Sequence, residues 1–248
     1  MNLDVILNPL ELPSLAKRDL RATVCVVFDV LRATSTFVTA LRNGAAAIIP
    51  VGEISEALEI IRKQPRVLAG GERHGLKITV KGREFDFGNS PREFAPEKVT
   101  GRTIVSTTTN GTRAFRACVH AKIVLAASFL NLSATASFLS GQKLGKIVLV
   151  CAGTGENVAL EDVLAAGALC EALAKGKKPM ALSDSARVAL AAFRQSKGDL
   201  ARTICESENA RRLLAMPELR EDVDFCLRRD VIDLVAGMRR GKITVLRK

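Results

Sequence analysis

Short runs of aliphatic and β-branched residues alternate with helical patterns through roughly the first 150 residues of the chain. We predict strands at LDVIL, TVCVVF, AAAIIP, RVLAG, TIVS, KIVLAA and KIVLVCAG. Helical spacing of apolar residues occurs between them, in STFVTALRNG and ISEALEIIRKQ. Such alternation is typical of crossover connections, which place parallel strands side by side. The sequence therefore predicts an α/β fold with a largely parallel or mixed central sheet.

The later part of the chain has a predominantly helical pattern. Helical segments run from EDVLAAGALCEALAKG through SDSARVALAAFRQ to EDVDFCLRRDVIDLV, and a last predicted strand, KITVL, follows. The hydrophobic content of 48% can fill a sizeable core. We therefore predict a single α/β domain over residues 1–248. The alternative is two lobes that meet near residue 140.

The chain carries a clear excess of positive charge. Lys and Arg number 37 and Asp and Glu number 26, which gives a formal net charge of +11. This charge raises the concentration of anions near the surface. Trp and Tyr are absent from the sequence, so platforms for stacking single-stranded nucleic acid have no obvious source. We expect a small phosphorylated partner and no nucleic-acid partner.

The cysteines and the apolar runs bear on the cellular compartment. Six cysteines are scattered without C-x-x-C pairs, which argues against a zinc site and a disulfide framework. The sequence has no apolar run of the roughly 18 residues that cross a bilayer, and its start lacks a signal-peptide pattern. We therefore expect a cytoplasmic protein with no membrane partner. A homo-oligomer is compatible with the sequence.

Polar residues suited to phosphate and a hard metal follow the predicted strand TVCVVF. Asp29 ends this strand and Arg32 lies in the following turn, and either Thr34 or Ser35 can cap the next helix. In open α/β sheets, ligands bind beyond the carboxyl ends of the strands. A carboxylate for Mg²⁺ beside a guanidinium for phosphate oxygens would explain this pair of residues.

Similar clusters follow three further strands. Glu72 and Arg73 repeat the pairing of acid and base just past RVLAG. The hydroxyl-rich loop STTTNGT, residues 106–112, can form an anion-binding nest from its backbone N–H groups. In CAGTGENVALED, two glycines precede Glu161 and Asp162 at the start of a long helix. Four such clusters at strand ends favour a functional site.

Each cluster also has a purely structural interpretation. Acidic residues in the first turn of a helix, such as Glu161 and Asp162, interact favourably with the helix dipole in any protein. Asp29 and Arg32 could form a simple salt bridge with each other. The segment GNSP is typical of an ordinary helix start, with Ser90 as its cap and a proline at the first helical position.

Several familiar phosphate chemistries fit the sequence poorly. DVDFC lacks the Thr or Val of a haloacid-type phosphatase motif and lies in a predicted helix. RHG imitates a histidine phosphatase, but the second histidine, His120, lies at a predicted helix end. GTGENV lacks the third glycine of a dinucleotide-binding fingerprint. Metal-assisted attack by water is the favoured chemistry that remains.

The motifs DVLRATST, GER, FDFGNSP, TTNGT, CAG and ALED, in this order, resemble the 2-phosphosulfolactate phosphatase family over most of the chain. The resemblance implies a three-layer α/β/α architecture. It also implies a Mg²⁺-dependent phosphatase that removes phosphate from 2-phosphosulfolactate in coenzyme M biosynthesis. The positions matched by motif are Asp29, Arg32, Thr34, Glu72, Arg73, Asp86, Asn89, Ser90, Thr108, Thr109, Asn110, Gly111, Thr112, Cys151, Gly153, Glu161 and Asp162.

The chain departs from the family pattern in three places. Arg83 and Glu84 stand between Gly82 and the FDFGNSP motif, where the family has glycine directly before it. SENARRLL has Asn209 and Ala210 where the pattern predicts His and Gly. DVIDLVAG lacks a usual proline. These departures leave the phosphate and metal motifs intact and bear on the identity of the substrate.

The reaction that accounts best for these features is hydrolysis of the phosphate monoester of a 2-hydroxy acid, 2-phosphosulfolactate. We expect Mg²⁺ to be held by some of Asp29, Glu72, Glu161 and Asp162, which with Arg32 form the predicted catalytic set. Arg32 and the TTNGT loop would stabilise charge on the phosphoryl oxygens. Arg73 would bind the carboxylate or sulfonate. The predicted substrate-binding residues are Thr34, Arg73, Asn89, Ser90, Thr108, Thr109, Asn110, Gly111, Thr112 and Gly153.

Two alternatives belong to other functional classes. A nucleotide- or dinucleotide-binding enzyme could use the CAGTG segment as its phosphate loop. A non-catalytic protein could use its basic surface to bind anions without turnover.

Overall fold

The computed structural model describes residues 1–176 and 179–247. Within these residues the strands, in chain order, are β1 (Asn2–Ile6), β2 (Thr23–Phe28), β3 (Ala47–Pro50), β4 (Leu68–Arg73), β5 (Leu76–Lys77), β6 (Thr79–Val80), β7 (Arg83–Glu84), β8 (Thr103–Thr107), β9 (Ile123–Ala127), β10 (Lys146–Cys151), β11 (Ala181–Leu182), β12 (Val235–Arg239) and β13 (Lys242–Arg247).

The α-helices of the same residues follow most of the strands. They are α1 (Leu12–Ala16), α2 (Ala33–Arg42), α3 (Ile54–Lys63), α4 (Pro96–Val99), α5 (Gly111–Ala117), α6 (Leu132–Gly141), α7 (Leu160–Ala174), α8 (Asp184–Ser196), α9 (Leu200–Cys205), α10 (Glu208–Leu214) and α11 (Arg220–Leu227). Short 3₁₀ helices lie at Pro9–Glu11, Pro91–Glu93, Phe129–Asn131 and Lys197–Asp199. Among the described helices, none combines the length and the apolar character that a membrane span needs.

The central sheet is mixed, with the order β11-β1-β10-β2-β9-β12-β13-β3-β8-β4-β5 in the described chain. One parallel group contains β11, β1, β10, β2 and β9, and a second contains β3, β8 and β4. The hairpin β12–β13 lies between them and pairs antiparallel with both β9 and β3. Because each of the three steps from β9 to β3 is antiparallel, the two groups run in opposite directions.

The central sheet separates the two largest of the three apolar cores in the described residues. Along β2, Val24, Val26 and Phe28 pack into one core, and Cys25 and Val27 pack into the other. Helices α6, α7 and α8 close the first core, and α1, α2 and α5 close the second. All six residues of β2 are buried, as expected for a parallel strand that is covered on both faces. This arrangement confirms the three-layer α/β fold.

The C-terminal region differs from the sequence expectation. The helix predicted over EDVDFCLRRDVIDLV ends at Leu227, and β12 begins at Val235. Arg240 and Gly241, with φ of 50° and 76°, form the turn that joins β12 to β13. Two consecutive residues with positive φ are typical of a tight hairpin turn. The prediction of helix was wrong here because pairing with β9 and β13 decides the conformation of this segment.

Helix α2 brings the two parallel groups to one place. It begins where β2 ends and packs against β9, β12 and β3. It therefore crosses the hairpin from the first group toward the second. Its first residue, Ala33, lies against Gly111, the first residue of α5, where an added Cβ atom would come within 2.8 Å of the Ala33 Cβ. The loops that follow β2 and β8 are thus in contact.

Candidate active site

A cavity of about 300 Å³ lies where the loops after β2, β4, β8 and β10 meet helix α10. All four loops follow the strand ends at which the sequence predicts polar clusters. The cavity brings together six of the residues predicted from the sequence, namely Asp29, Arg32, Glu72, Asn89, Thr109 and Asn110. Residues that were grouped on chemical grounds are therefore neighbours in space.

Asp29 follows β2 directly and opens helix α2. Its Oδ1 accepts a hydrogen bond from the backbone N of Ala33 at 3.0 Å. The hydroxyl of Thr34 donates to the backbone O of Asp29, and that of Ser35 donates to the backbone O of Val30. The expectation that Thr34 or Ser35 caps the helix is wrong, because both lie inside its first turn. The Asp29 side chain instead supplies the capping oxygen.

Asp29 is buried close to other carboxylates. The residue is 7% exposed. Burial raises the pKa of its carboxyl group to about 7; the hydrogen bond from Ala33 opposes this rise, and the carboxylates of Glu72 and Glu161 add to it. A Cβ atom on Gly111 would lie 2.7 Å from Asp29 Oδ2. Glycine at this position therefore keeps space in front of the carboxylate.

Glu72, at the end of β4, joins two loops of the cavity. Its Oε1 accepts a hydrogen bond from the backbone N of Thr109 at 2.8 Å. Its Oε2 accepts one from the backbone N of Gly75 at 2.7 Å. Both carboxylate oxygens thus have backbone partners. Glu72 holds the loop after β8 against the turn after β4.

Arg32 forms a buried ion pair with a residue that sequence reasoning did not single out. Its Nη1 lies 2.7 Å from Oδ2 of Asp222, in helix α11, and the side chains are 3% and 0% exposed. Arg32 Nη2 also donates to the backbone O of Gly75 at 3.0 Å. The Ser90 hydroxyl donates to Asp222 Oδ1 at 2.7 Å. The simple Asp29–Arg32 salt bridge is replaced by this pair, which holds the guanidinium at the cavity wall.

The neighbouring acids Glu161 and Asp162 have different surroundings. Asp162 accepts hydrogen bonds from the backbone N of Val30 at 2.8 Å and of Gly153 at 3.1 Å. Burial raises the pKa of Asp162 well above its ordinary value, and Glu161 contributes. Glu161 Oε1 accepts from Asn209 Nδ2 at 2.7 Å. Glu161 Oε2 is buried and has no hydrogen-bond partner in the described part of the chain.

The TTNGT loop is ordered by its own hydroxyls and by the loop after β10. Thr112 donates its hydroxyl to the backbone O of Thr108 at 2.8 Å. Asn110 Oδ1 accepts from the backbone N of Gly155 at 3.0 Å. The buried Oγ1 of Thr109 has no partner among the residues that the structure describes. This loop therefore contributes an unsatisfied hydroxyl near the cavity.

Other predicted residues lie outside the cavity. Arg73 donates to Thr107 Oγ1 at 2.9 Å and, with Thr108, lines a neighbouring cavity of about 670 Å³. Asp86 accepts from the backbone N of Ala69 at 2.8 Å. The remaining matched residues lie in the surrounding walls or core: Thr34, Ser90, Gly111, Thr112, Cys151, Gly153, Glu161 and Asp162.

The structure adds four residues that sequence reasoning missed. His74, Glu208 and Arg212 line the cavity, and Asp222 stands behind Arg32. His74 belongs to the RHG segment, which was weighed against another kind of phosphatase and set aside. Arg212 follows the departure at Asn209. Both segments therefore stood out in the sequence, although neither indicated which of its side chains would face the cavity.

One further spacing was overlooked in the sequence. Cys205 and Arg211 are separated by five residues, as in the loop of cysteine phosphatases. Cys205 ends α9, and Arg211 is exposed on α10, so two helices replace the single loop that such a site needs. Burial raises the pKa of the Cys205 thiol, and Asp224 contributes. Neither residue lines the cavity, which argues against a thiolate nucleophile.

The donor set fits a hard divalent cation bound by few side chains. Glu161 has a buried oxygen without a partner, and Asp29 lies in the field of Glu72 and Glu161. Within residues 1–176 and 179–247, no three His, Cys, Asp or Glu side chains form a metal-binding group by themselves. Mg²⁺ commonly takes one or two carboxylates and completes its shell with substrate phosphate and water. Asp29 and Glu161 match that pattern.

Comparison with known proteins identifies the family to which this chain belongs. The family model for 2-phosphosulpholactate phosphatase matches residues 10–241. A probable 2-phosphosulfolactate phosphatase of Thermotoga petrophila is 43% identical over 216 residues, 87% of this chain and 89% of the relative. Proteins of the same name from Caldanaerobacter subterraneus and Clostridium perfringens are 38% and 37% identical, covering 92% and 98% of this chain and 92% and 96% of the relatives. The chain therefore belongs to the 2-phosphosulfolactate phosphatase family and is a hydrolase that acts on a phosphate monoester.

Proposed function

We propose that the protein hydrolyses 2-phosphosulfolactate to sulfolactate and phosphate in a Mg²⁺-dependent reaction. The observation that carries this proposal is that Asp29, a buried carboxylate that lines the cavity, feels the charge of Glu161, a buried carboxylate outside the cavity lining with an unpartnered oxygen. A buried acid such as Asp29, whose pKa is raised by burial and by neighbouring carboxylates, favours a bound cation. The relatives named as probable 2-phosphosulfolactate phosphatases support the choice of substrate.

The four predicted metal ligands would divide into two roles. Asp29 and Glu161 would hold Mg²⁺. When bound, Mg²⁺ supplies positive charge that stabilises the phosphoryl oxygens and favours attack by water. In Glu72 and in Asp162, both carboxylate oxygens accept hydrogen bonds from backbone N–H groups. These two residues would therefore fix the loops that carry the ligands.

Arg32 would bind the phosphoryl oxygens from the wall of the cavity. Its guanidinium is held on one side by Asp222 and Gly75, which limits its motion before substrate arrives. A group fixed in this way can stabilise charge that develops in the transition state without reorganisation. Asn89, Thr109 and Asn110 line the same cavity and would complete the polar surface around the phosphate.

The alternative phosphate loop, CAGTG, has little capacity to bind an external anion. The backbone N of Gly153 donates to Asp162, that of Thr154 to the backbone O of Asn157, and that of Gly155 to Asn110 Oδ1. A nucleotide phosphate would need these N–H groups. Their internal bonds favour hydrolysis of a small phosphate ester over nucleotide binding.

The test is release of inorganic phosphate from a panel of phosphorylated 2-hydroxy acids, with and without EDTA. We expect 2-phosphosulfolactate to be hydrolysed and EDTA to abolish the activity until excess Mg²⁺ is added. Glu161→Gln should raise the Mg²⁺ concentration for half-maximal activity at least about tenfold, whereas Asp162→Asn should act mainly on stability. Unchanged turnover in EDTA would exclude the metal, and absence of turnover on every ester of the panel would exclude the reaction.

A further inference from the structure

Arg212 is an arginine of the cavity lining that forms no ion pair with the described residues. It lies on helix α10, is exposed and lines the same cavity as Asp29 and Glu72. Its Nη2 donates to Asn209 Oδ1 at 3.0 Å. Among the residues that the structure describes, none places a carboxylate in an ion pair with it. Its guanidinium therefore keeps donors for a bound anion.

The two arginines to which the sequence assigned a role in the site have other partners. Arg32 is paired with the buried carboxylate of Asp222. Arg73 donates to the backbone O of Glu72 and Gly52 and lines the neighbouring cavity instead. The role expected for Arg73, which was to bind the carboxylate or sulfonate of the substrate, therefore needs another residue.

Asn209 fixes Arg212 relative to the predicted phosphate site. Asn209 is 4% exposed, and its Nδ2 donates to Glu161 Oε1 at 2.7 Å and to Thr154 Oγ1 at 2.5 Å. Its Oδ1 accepts from Arg212, three residues further along the same helix. One buried amide thus joins the proposed metal ligand Glu161 to the exposed guanidinium.

Substrate chemistry requires such a fixed second cation. In 2-phosphosulfolactate the carboxylate is bonded to the carbon that carries the phosphate ester, and the sulfonate is bonded to the neighbouring methylene carbon. Both anions must enter the cavity of about 300 Å³ with the phosphate. Asp29, Glu72 and Glu208 already supply negative charge there. An arginine can compensate this charge and bind a carboxylate or sulfonate through two parallel hydrogen bonds.

We propose that Arg212, positioned by Asn209, binds the second anionic group of the substrate and so selects phosphate esters of hydroxy acids over simple phosphate monoesters. This inference rests on the proposed function of the site. It places substrate specificity on helix α10, and phosphate chemistry on the strand-end loops.

The experiment compares Arg212→Gln and Arg212→Lys with Arg211→Gln. Arg211 is the adjacent exposed arginine of the same helix and does not line the cavity, so its variant removes the same charge as a matched control. kcat/KM is measured for 2-phosphosulfolactate and for ethyl phosphate, which has no second anion. We expect Arg212→Gln to lower the ratio of the two values about 10- to 100-fold, mainly through KM, as for loss of hydrogen bonds to a charged group. Arg212→Lys should recover part of the loss, and Arg211→Gln should leave the ratio unchanged.

Binding of sulfolactate, measured by calorimetry, separates this inference from the proposed function. If the wild-type protein binds sulfolactate and Arg212→Gln does not, the anion site is supported even if 2-phosphosulfolactate is not turned over. An equal loss of kcat/KM on both substrates, an equal effect of Arg211→Gln, or wild type that fails to bind sulfolactate would each overturn the role of Arg212.

Discussion

The cavity has two walls that are held together by different kinds of contact. In the wall built from strand-end loops, Asp29 and Glu72 accept hydrogen bonds from backbone N–H groups. In the wall formed by helix α10 and supported by α11, which does not line the cavity itself, the contacts join side chains: Asp222 pairs with Arg32, and Asn209 bonds to Arg212. Backbone contacts fix carboxylates wherever the fold forms. Side-chain contacts depend on which residue occupies each position. The residues of the helical wall can therefore differ between enzymes that act on different substrates.

The largest effect should come from the strand-end wall, through Asp29→Asn. Asparagine keeps the Oδ1 that accepts from Ala33 but removes the charge, so activity should fall at least about 100-fold. The melting temperature should not fall, because the variant buries less charge beside Glu72 and Glu161. Steady-state kinetics and thermal unfolding check both results, with exposed Asp19→Asn as the control. An active Asp29→Asn protein would contradict the proposal that the strand-end wall supplies the catalytic carboxylate.

The Arg32–Asp222 pair joins the two walls and should affect both activity and stability. Arg32→Ala should cost about 2–4 kcal/mol in kcat/KM, and Arg32→Lys should recover part, because a point charge cannot make the planar contact. Asp222→Ala leaves the buried guanidinium of Arg32 unpaired, which costs about 3–5 kcal/mol of unfolding free energy. Arg32→Ala should cost less, because Arg92 still pairs with Asp222 at 3.4 Å. Denaturant unfolding and kinetics measure the two effects.

The double variant Arg32→Met/Asp222→Leu sharpens this result. Replacing both charges with apolar side chains should restore much of the stability. It should not restore turnover, because the phosphate would still lack its guanidinium. A double variant that regains both stability and activity would make the pair structural alone.

The same contrast explains what the sequence could reveal. The residues of β2 were predicted with their observed bounds, Thr23–Phe28, because a strand covered on both faces leaves an uninterrupted apolar run. Asp29, Glu72 and Thr109 were selected because each lies within two positions of the end of such a strand. Local pattern is sufficient when the functional residue is a few positions from a strand end.

The helical wall could not be predicted in the same way. Asp222 is 190 residues away from Arg32 in the chain, and the spacing of a short helix does not reveal which distant side chain it meets. The DVDFC segment that contains Asp222 was tested against one motif and set aside. The hairpin β12–β13 was missed in part for the same reason, since its first strand depends on pairing with β9. Long-range contacts decide both features.

The smallest effect should come from Cys151, which ends β10 but faces the core. It is fully buried, and burial raises the pKa of its thiol well above the ordinary value, with Asp162 contributing. Because a protonated, buried thiol is a poor nucleophile, Cys151→Ala should keep kcat within about twofold and cost about 1 kcal/mol of stability. Kinetics, denaturant unfolding and alkylation of the native protein by iodoacetamide measure these effects. Two results would contradict this prediction: a trapped phosphocysteine at Cys151, or loss of turnover in a folded Cys151→Ala protein. Either would show that Cys151 takes part in the reaction although it does not line the cavity.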